Sequence, residues 1–183
     1  VVRDTDSNTE TDLVRKRMWE TQLRGGFWEI VPESSAQIPS EVQKAFLLCA
    51  KFFQKTRFSR LEPRQDLVGK PNETDAERRN RKKSIQSVEA QTQLPDQLKA
   101  LLKEQARGSA VLALANAGRE YVVYFPMGGA ISLELLEATG TLKVAWYNPR
   151  TGDWKEEASV KGGDYLNFQA PDTKDWVLYI VRP

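Results

Sequence analysis

The spacing of apolar residues changes part-way along the chain. From about Thr11 to Arg24, Val14, Met18 and Thr21 fall on one stripe flanked by Leu13 and Leu23. That spacing predicts a helix, stopped by Gly25-Gly26. The stretch from Gly26 to Pro32 reads as a short strand or extended packing segment ended by proline. Ser40-x-x-Gln43 has the form of a capping box. Behind it Val42, Ala45, Phe46, Cys49, Phe52 and Phe53 recur every three or four residues, which predicts a one-faced helix from Glu41 to about Thr56. Thr74-x-x-Glu77 offers a second capping box before a charged helix ending at Glu89. Leu94, Leu98, Leu101 and Leu102 mark one more helix, with Pro95 suited to its first turn and Arg107-Gly108 at its end.

After Gly108 the period falls to two. Strands are predicted at about 110–115, 120–125, 130–135, 142–147, 153–159, 164–169 and 175–182, separated by glycine-bearing turns. Seven short strands in this rhythm favour two packed sheets. The fold class is therefore α+β: a helical N-terminal part, then a small antiparallel β-sandwich. The last strand is apolar on both faces, with Trp176, Leu178 and Ile180 against Val177, Tyr179 and Val181. Such a strand belongs in the middle of a sheet or beneath the helices. Three segments follow: 1–68 helical, 69–108 an insertion or linker with helices, and 109–183 the sandwich.

Composition narrows the chemistry. The chain has 183 residues, one cysteine (Cys49) and no histidine. A disulfide within the chain, a His-based triad and a His-ligated metal are excluded. No run approaches the ~20 apolar residues that span a bilayer, so no membrane partner is predicted. The opening residues are polar, lack the apolar stretch of a signal peptide and do not begin with Met, as in a processed or truncated piece. Residues 1–107 carry 20 basic and 16 acidic groups, and residues 108–183 carry 7 and 9, which suggests two units of different character. Arg78, Arg79, Arg81, Lys82 and Lys83 form a dense basic run. It could grip phosphate or simply be solvated. No aromatic is interleaved to stack on bases, so nucleic acid is not a predicted partner. No nucleotide loop, metal cluster or nucleophile elbow is found, and no cofactor, metal ligand or catalytic residue is nominated. Glu29 beside Trp28 is a lone carboxylate, whereas glycoside hydrolysis normally uses two.

The most informative stretch runs from Trp146 to Trp154. Pro149 presets the turn, Asn148 can cap it, and Gly152 supplies a positive φ. Alternation turns Trp146 and Trp176 inward and leaves Tyr147 and Trp154 for solvent. Those two rings could stack on sugar faces, with Asn148, Arg150 and Asp153 offering hydrogen bonds to hydroxyls. Alternatively, Trp154 clamps the hairpin across Trp146 as a cross-strand pair.

The same residues carry a family resemblance. Trp-Tyr-Asn-Pro-Arg-Thr-Gly at 146–152, with Ala170-Pro171-x-x-x-Asp175-Trp176-Val177-Leu178 after it, resembles the C-terminal β-domain of apiosidase-like bacterial glycoside hydrolases. That domain is also labelled a collagen-binding domain of a collagenase. Asp12-Leu13-Val14-Arg15-Lys16-x-x-Trp19-Glu20 with Gly25-Gly26, and the connector Phe58 to Val68, resemble the end of the barrel in these proteins. Residues 69–108 depart from the pattern. The resemblance implies a non-catalytic accessory domain whose partner is a catalytic (β/α)8 barrel, with polysaccharide or collagen as ligand. It also implies an extracellular or periplasmic location. A fragment completing a glycosidase site, with Glu29, is the remaining alternative.

Overall fold

A computed structural model describes residues 9–27, 38–107 and 109–183. Trp28 and Glu29, with the extended segment expected around them, lie outside the described residues. Helix α1 (Thr9–Leu23) and helix α2 (Ser40–Gln54) come first. Two short strands follow, β1 (Glu62–Pro63) and β2 (Val68–Gly69), then α3 (Asp75–Glu89) and α4 (Asp96–Arg107). Seven strands complete the order: β3 (Leu112–Asn116), β4 (Glu120–Phe125), β5 (Ala130–Glu134), β6 (Thr141–Tyr147), β7 (Trp154–Lys161), β8 (Tyr165–Gln169) and β9 (Trp176–Val181).

The strands form a six-stranded sheet, β1-β3-β4-β9-β6-β7, and a three-stranded sheet, β2-β5-β8, antiparallel throughout. The fold is α+β and sandwich-like, as the change of period implied. The connector at 62–69 contributes one strand to each sheet, so the junction at 68/69 falls inside β2. Strand β9 lies between β4 and β6, the central place that its two apolar faces require.

Both faces of the large sheet are buried. Val123, Phe125, Leu142, Trp146, Leu178 and Ile180 point toward the small sheet, where Ile131 and Leu133 meet them. Leu112, Leu114, Val122, Tyr124, Tyr147 and Val177 point the other way, against Met18, Trp19 and Leu23 of α1 and Cys49 and Phe52 of α2. Trp19 is fully buried and stacks on Tyr124 with ring centroids 5.8 Å apart. Phe52 stacks on Trp154 at 5.4 Å. One ion pair crosses this apolar layer: Arg15 of α1 donates to both carboxylate oxygens of Asp175, at 2.9 and 3.1 Å. The Tyr124 hydroxyl donates to the same carboxylate at 3.3 Å.

The two capping signals differ in outcome. Thr74 and Glu77 form the reciprocal box. At α2 the residue before the helix is Pro39, no side chain caps it, and Gln43 Nε2 donates to the Ile38 carbonyl at 2.7 Å. Helix α2 therefore starts one residue earlier than the Ser40 signal implies.

The basic run lies largely against the protein. Arg78 stacks over the Tyr165 ring at 3.5 Å, and Lys82 pairs with Glu134 at 2.6 Å. Arg81 is buried, holds Glu73 through two hydrogen bonds, and donates to the Asp66 carbonyl. Asn72, at φ 55, exchanges two hydrogen bonds with Asn167. The segment from Asn72 to Lys82 thus covers the outer face of the three-stranded sheet. Gly69 makes room for it: a Cβ there would lie 2.9 Å from Arg81 Nη2. Arg79 and Lys83 remain exposed. Helix α4 packs on α3, with Lys103 bridging to Glu89.

Candidate functional site

The β6–β7 hairpin is built as its sequence suggests. Asn148 N donates to the Asp153 carbonyl at 2.9 Å, and Gly152 N donates to the Asn148 carbonyl at 2.8 Å. Asn148 Oδ1 caps the turn by accepting from Arg150 N at 3.0 Å. Gly152 has φ 87, and a Cβ there would strike Leu48 of α2 at 2.7 Å. The tip of the hairpin is therefore pressed against the helix.

That contact decides where the five candidate residues go. Tyr147 is buried, with its hydroxyl donating to the Leu48 carbonyl at 2.9 Å. Burial pushes its pKa up to about 12. It is not a solvent-facing plate, because α2 covers the face that alternation assigns to water. Asn148 Oδ1 also accepts from Arg150 Nε at 2.9 Å. Arg150 further lies 3.7 Å from both Asp172 and Asp175 and 5.3 Å over the Trp176 ring. Both residues are thus occupied within the fold. Asp153 is exposed on the turn. Trp154 is half-buried and pairs across the strands with Tyr147, not with Trp146. Trp146 and Trp176 are buried between the sheets, as alternation placed them.

Trp154 opens onto a cavity. Where α2 ends, the large sheet is left uncovered, and a groove of about 520 Å³ lies on it. Ala145, Lys143 and Val181 line it beside Trp154 and Tyr179, with Glu156 on the outer strand. Trp154 and Tyr179 meet edge to face, 5.8 Å apart. Phe52 backs the indole, and Lys55 Nζ stands 5.1 Å from its centroid. The Tyr179 hydroxyl donates to Glu120 Oε1 at 2.9 Å. Burial and that carboxylate push the Tyr179 pKa well up, so it stays a neutral donor.

Two aromatic rings on a strand floor, with a carboxylate, a hydroxyl and two ammonium groups around them, suit a ring that is apolar on its faces and polar at its rim. Tyr179, Lys143 and Glu156 escape sequence reasoning because they come from three strands. The available signal is the run Trp154-Lys155-Glu156-Glu157-Ala158-Ser159, which is polar on both sides and so marks an uncovered edge. The lone thiol takes no part. Burial pushes Cys49 up to about 12, and a protonated thiol is a poor nucleophile. Among the described residues, no group of three His, Cys, Asp or Glu could hold a metal ion.

Residues 94–181 match the family described as "Putative collagen-binding domain of a collagenase". The matched range runs from just before α4 to the end of β9. No curated protein sequence matches the chain. Two solved structures share the fold. One is described as a glycoside hydrolase, at 14% identity and TM-score 0.58. The other is a glycoside hydrolase family 5 protein from Bacteroides vulgatus, at 13% identity and TM-score 0.59. Each likeness covers 93% of this chain but only 36% of the solved one.

Proposed function

We propose that the chain is a non-catalytic accessory unit of a larger glycoside-hydrolase-like protein. Its α1–α2 layer packs on a catalytic (β/α)8 barrel, and its groove between Trp154 and Tyr179 contacts polysaccharide. The observation that carries the ligand assignment is the groove itself. It is an aromatic-walled floor on a rigid sheet, open where the helical cover stops. The barrel is supported by the unused apolar surface of the helices. Leu13 on α1 and Phe46 and Leu47 on α2 are 47%, 40% and 51% exposed, beside a small apolar cavity shared by Phe27, Phe46 and Phe53. The solved glycoside hydrolases extend well beyond the matched portion, which accommodates such a partner. An extracellular or periplasmic setting goes with a polysaccharide ligand.

The test is titration of the chain against plant and bacterial polysaccharides and against collagen, followed by Trp fluorescence. Saturable glycan binding is expected, lost in Trp154→Ala and in Ala145→Arg, which fills the floor without touching the Phe52 stack. A second possibility, a matrix-protein module, is favoured by the collagen-binding description of residues 94–181. Collagen binding with no glycan response would establish it in place of the first. No response to any ligand would remove the ligand assignment altogether.

A further inference from the structure

The groove continues into a second depression of about 320 Å³, and the two differ in chemistry. Val181 lines both. Glu120, in the second, accepts the Tyr179 hydroxyl from the first and lies opposite Val181 in the β4–β9 register. Around Glu120 stand Arg57, Arg119, Arg182 and Asn116.

Glu120 is buried, and its carboxylate is already engaged. It accepts from Tyr179 and from the Arg57 backbone N–H, at 3.2 and 3.3 Å. The three guanidinium groups are exposed and have no side-chain partner among the described residues. Lys143, at the groove floor, is likewise exposed and unpaired. Lys55 is held only by the Trp154 ring, an exposed cation–π contact that an incoming sugar can displace. Of the acidic groups alongside, Glu157 is paired with Lys155 at 2.9 Å, while Glu156 on the outer strand is exposed and unpaired among the described residues. Lys55, Lys143, Arg57, Arg119 and Arg182 thus outnumber Glu156 and the buried Glu120 along the trough, although residues 108–183 carry 7 basic and 9 acidic groups.

We propose that this trough binds an anionic polysaccharide. One sugar ring sits on Trp154 and Tyr179, and the carboxylate or sulfate of a neighbouring unit is gripped by Arg57, Arg119 and Arg182. A guanidinium presents a planar fork of N–H donors that matches two oxygens of a carboxylate or sulfate at once. The three guanidinium groups outnumber the one buried carboxylate of Glu120 among them, and an anion there relieves the remaining repulsion. An anionic glycan here presupposes the glycan groove proposed above. The charge requirement is the new element.

The experiment is calorimetric titration of the full chain with polygalacturonate, chondroitin sulfate and a neutral glucan, at low and high NaCl. The variants are Ala145→Phe, which fills the groove floor without adding charge, and the triple Arg57→Gln, Arg119→Gln, Arg182→Gln, both checked by circular dichroism and melting. The acidic polymers are expected to bind, with affinity falling as salt rises. The triple variant should weaken acidic binding roughly tenfold or more. Polygalacturonate alone among the acidic polymers would identify a carboxylate, and chondroitin sulfate alone a sulfate. Binding of the neutral glucan as tightly as the acidic polymers, or acidic binding that the triple variant leaves unchanged but the groove variant abolishes, would overturn the charge requirement and leave the groove standing. Acidic binding that survives both variants would place it elsewhere on the surface and overturn this site. No binding of any polymer would overturn groove and charge requirement together.

Discussion

The two helical segments hold to the sandwich by opposite chemistry. Helices α1 and α2 lie on the large sheet through a dry aromatic layer of Trp19, Phe52, Tyr124, Tyr147 and Trp154. Helix α3 lies on the small sheet through Arg78 on Tyr165, Lys82 on Glu134 and the Asn72–Asn167 exchange. The first attachment depends on area and shape, the second on charge and direction. Apolar burial is worth about 25 cal/mol per Å² and is indifferent to salt up to moderate concentrations. Part-exposed ion pairs are worth about 0–1 kcal/mol each and fade as salt rises. The helices should therefore part from their sheets under different conditions.

The aromatic layer should show the largest response. Trp19→Ala is expected to cost about 3–5 kcal/mol in denaturant unfolding, as for other large buried aromatics. Wild-type stability in that variant would mean the layer does not hold α1. Asp175→Asn should cost about 3 kcal/mol, because Arg15 keeps its charge in an apolar setting and retains only the exposed Asp12. The double variant Arg15→Met, Asp175→Leu should recover most of that loss. Full loss in the double would show that packing around the pair, and not the stranded charge, sets the cost.

High pH gives a third comparison. The fold raises the Tyr147 pKa from 10.0 to about 12, which favours the neutral phenol. Below pH 10 both folded and unfolded chains keep the proton, and the contribution is complete. Between pH 10 and 12 the unfolded chain ionises first, so stability falls by about 1.4 kcal/mol per unit from this residue. Chemical denaturation across that range, repeated on Tyr147→Phe, should show a shallower decline in the variant. Equal slopes would contradict the burial of this hydroxyl.

Helix α3 should respond least and most locally. Arg78→Ala is expected to cost about 0.5–2 kcal/mol, seen as faster amide exchange over 70–90 with little change in the global melt. Raising NaCl from about 0.1 to 1 M shortens the screening length from about 10 to 3 Å. Exchange should then rise in α3 and not in α1 or α2. A uniform rise in all three would erase the contrast between the attachments.

Sequence patterns revealed those parts of the fold that are local. The Asn148–Gly152 turn and the Thr74–Glu77 box are contiguous, so their partners can be read from spacing. The double apolar character of β9 announced its central place. The Ser40 signal misled because Pro39 and Ile38 settle that helix start differently. Tyr147 was assigned to solvent because alternation supposes one wet face, and a helix 100 residues earlier in the chain dries it. Tyr179, Lys143 and Glu120 reach the trough from different strands, and no spacing along the chain brings them together. The role of the basic run was equally hidden, since Glu134 and Tyr165, which face it, are far away in sequence.

The position of β9 bears on how the chain is made. It is the last of the nine described strands and the one that joins β4 to β6. Until it leaves the ribosome, β3–β4 and β6–β7 are separate hairpins with open edges, unable to form one sheet. The docking surface for Trp19 includes Val177, which arrives with that strand. The sheet-facing residues of α1 and α2 therefore lack their complete docking surface until β9 has been made. Protection of that apolar surface until β9 arrives would then govern yield more than the stability of the folded unit does.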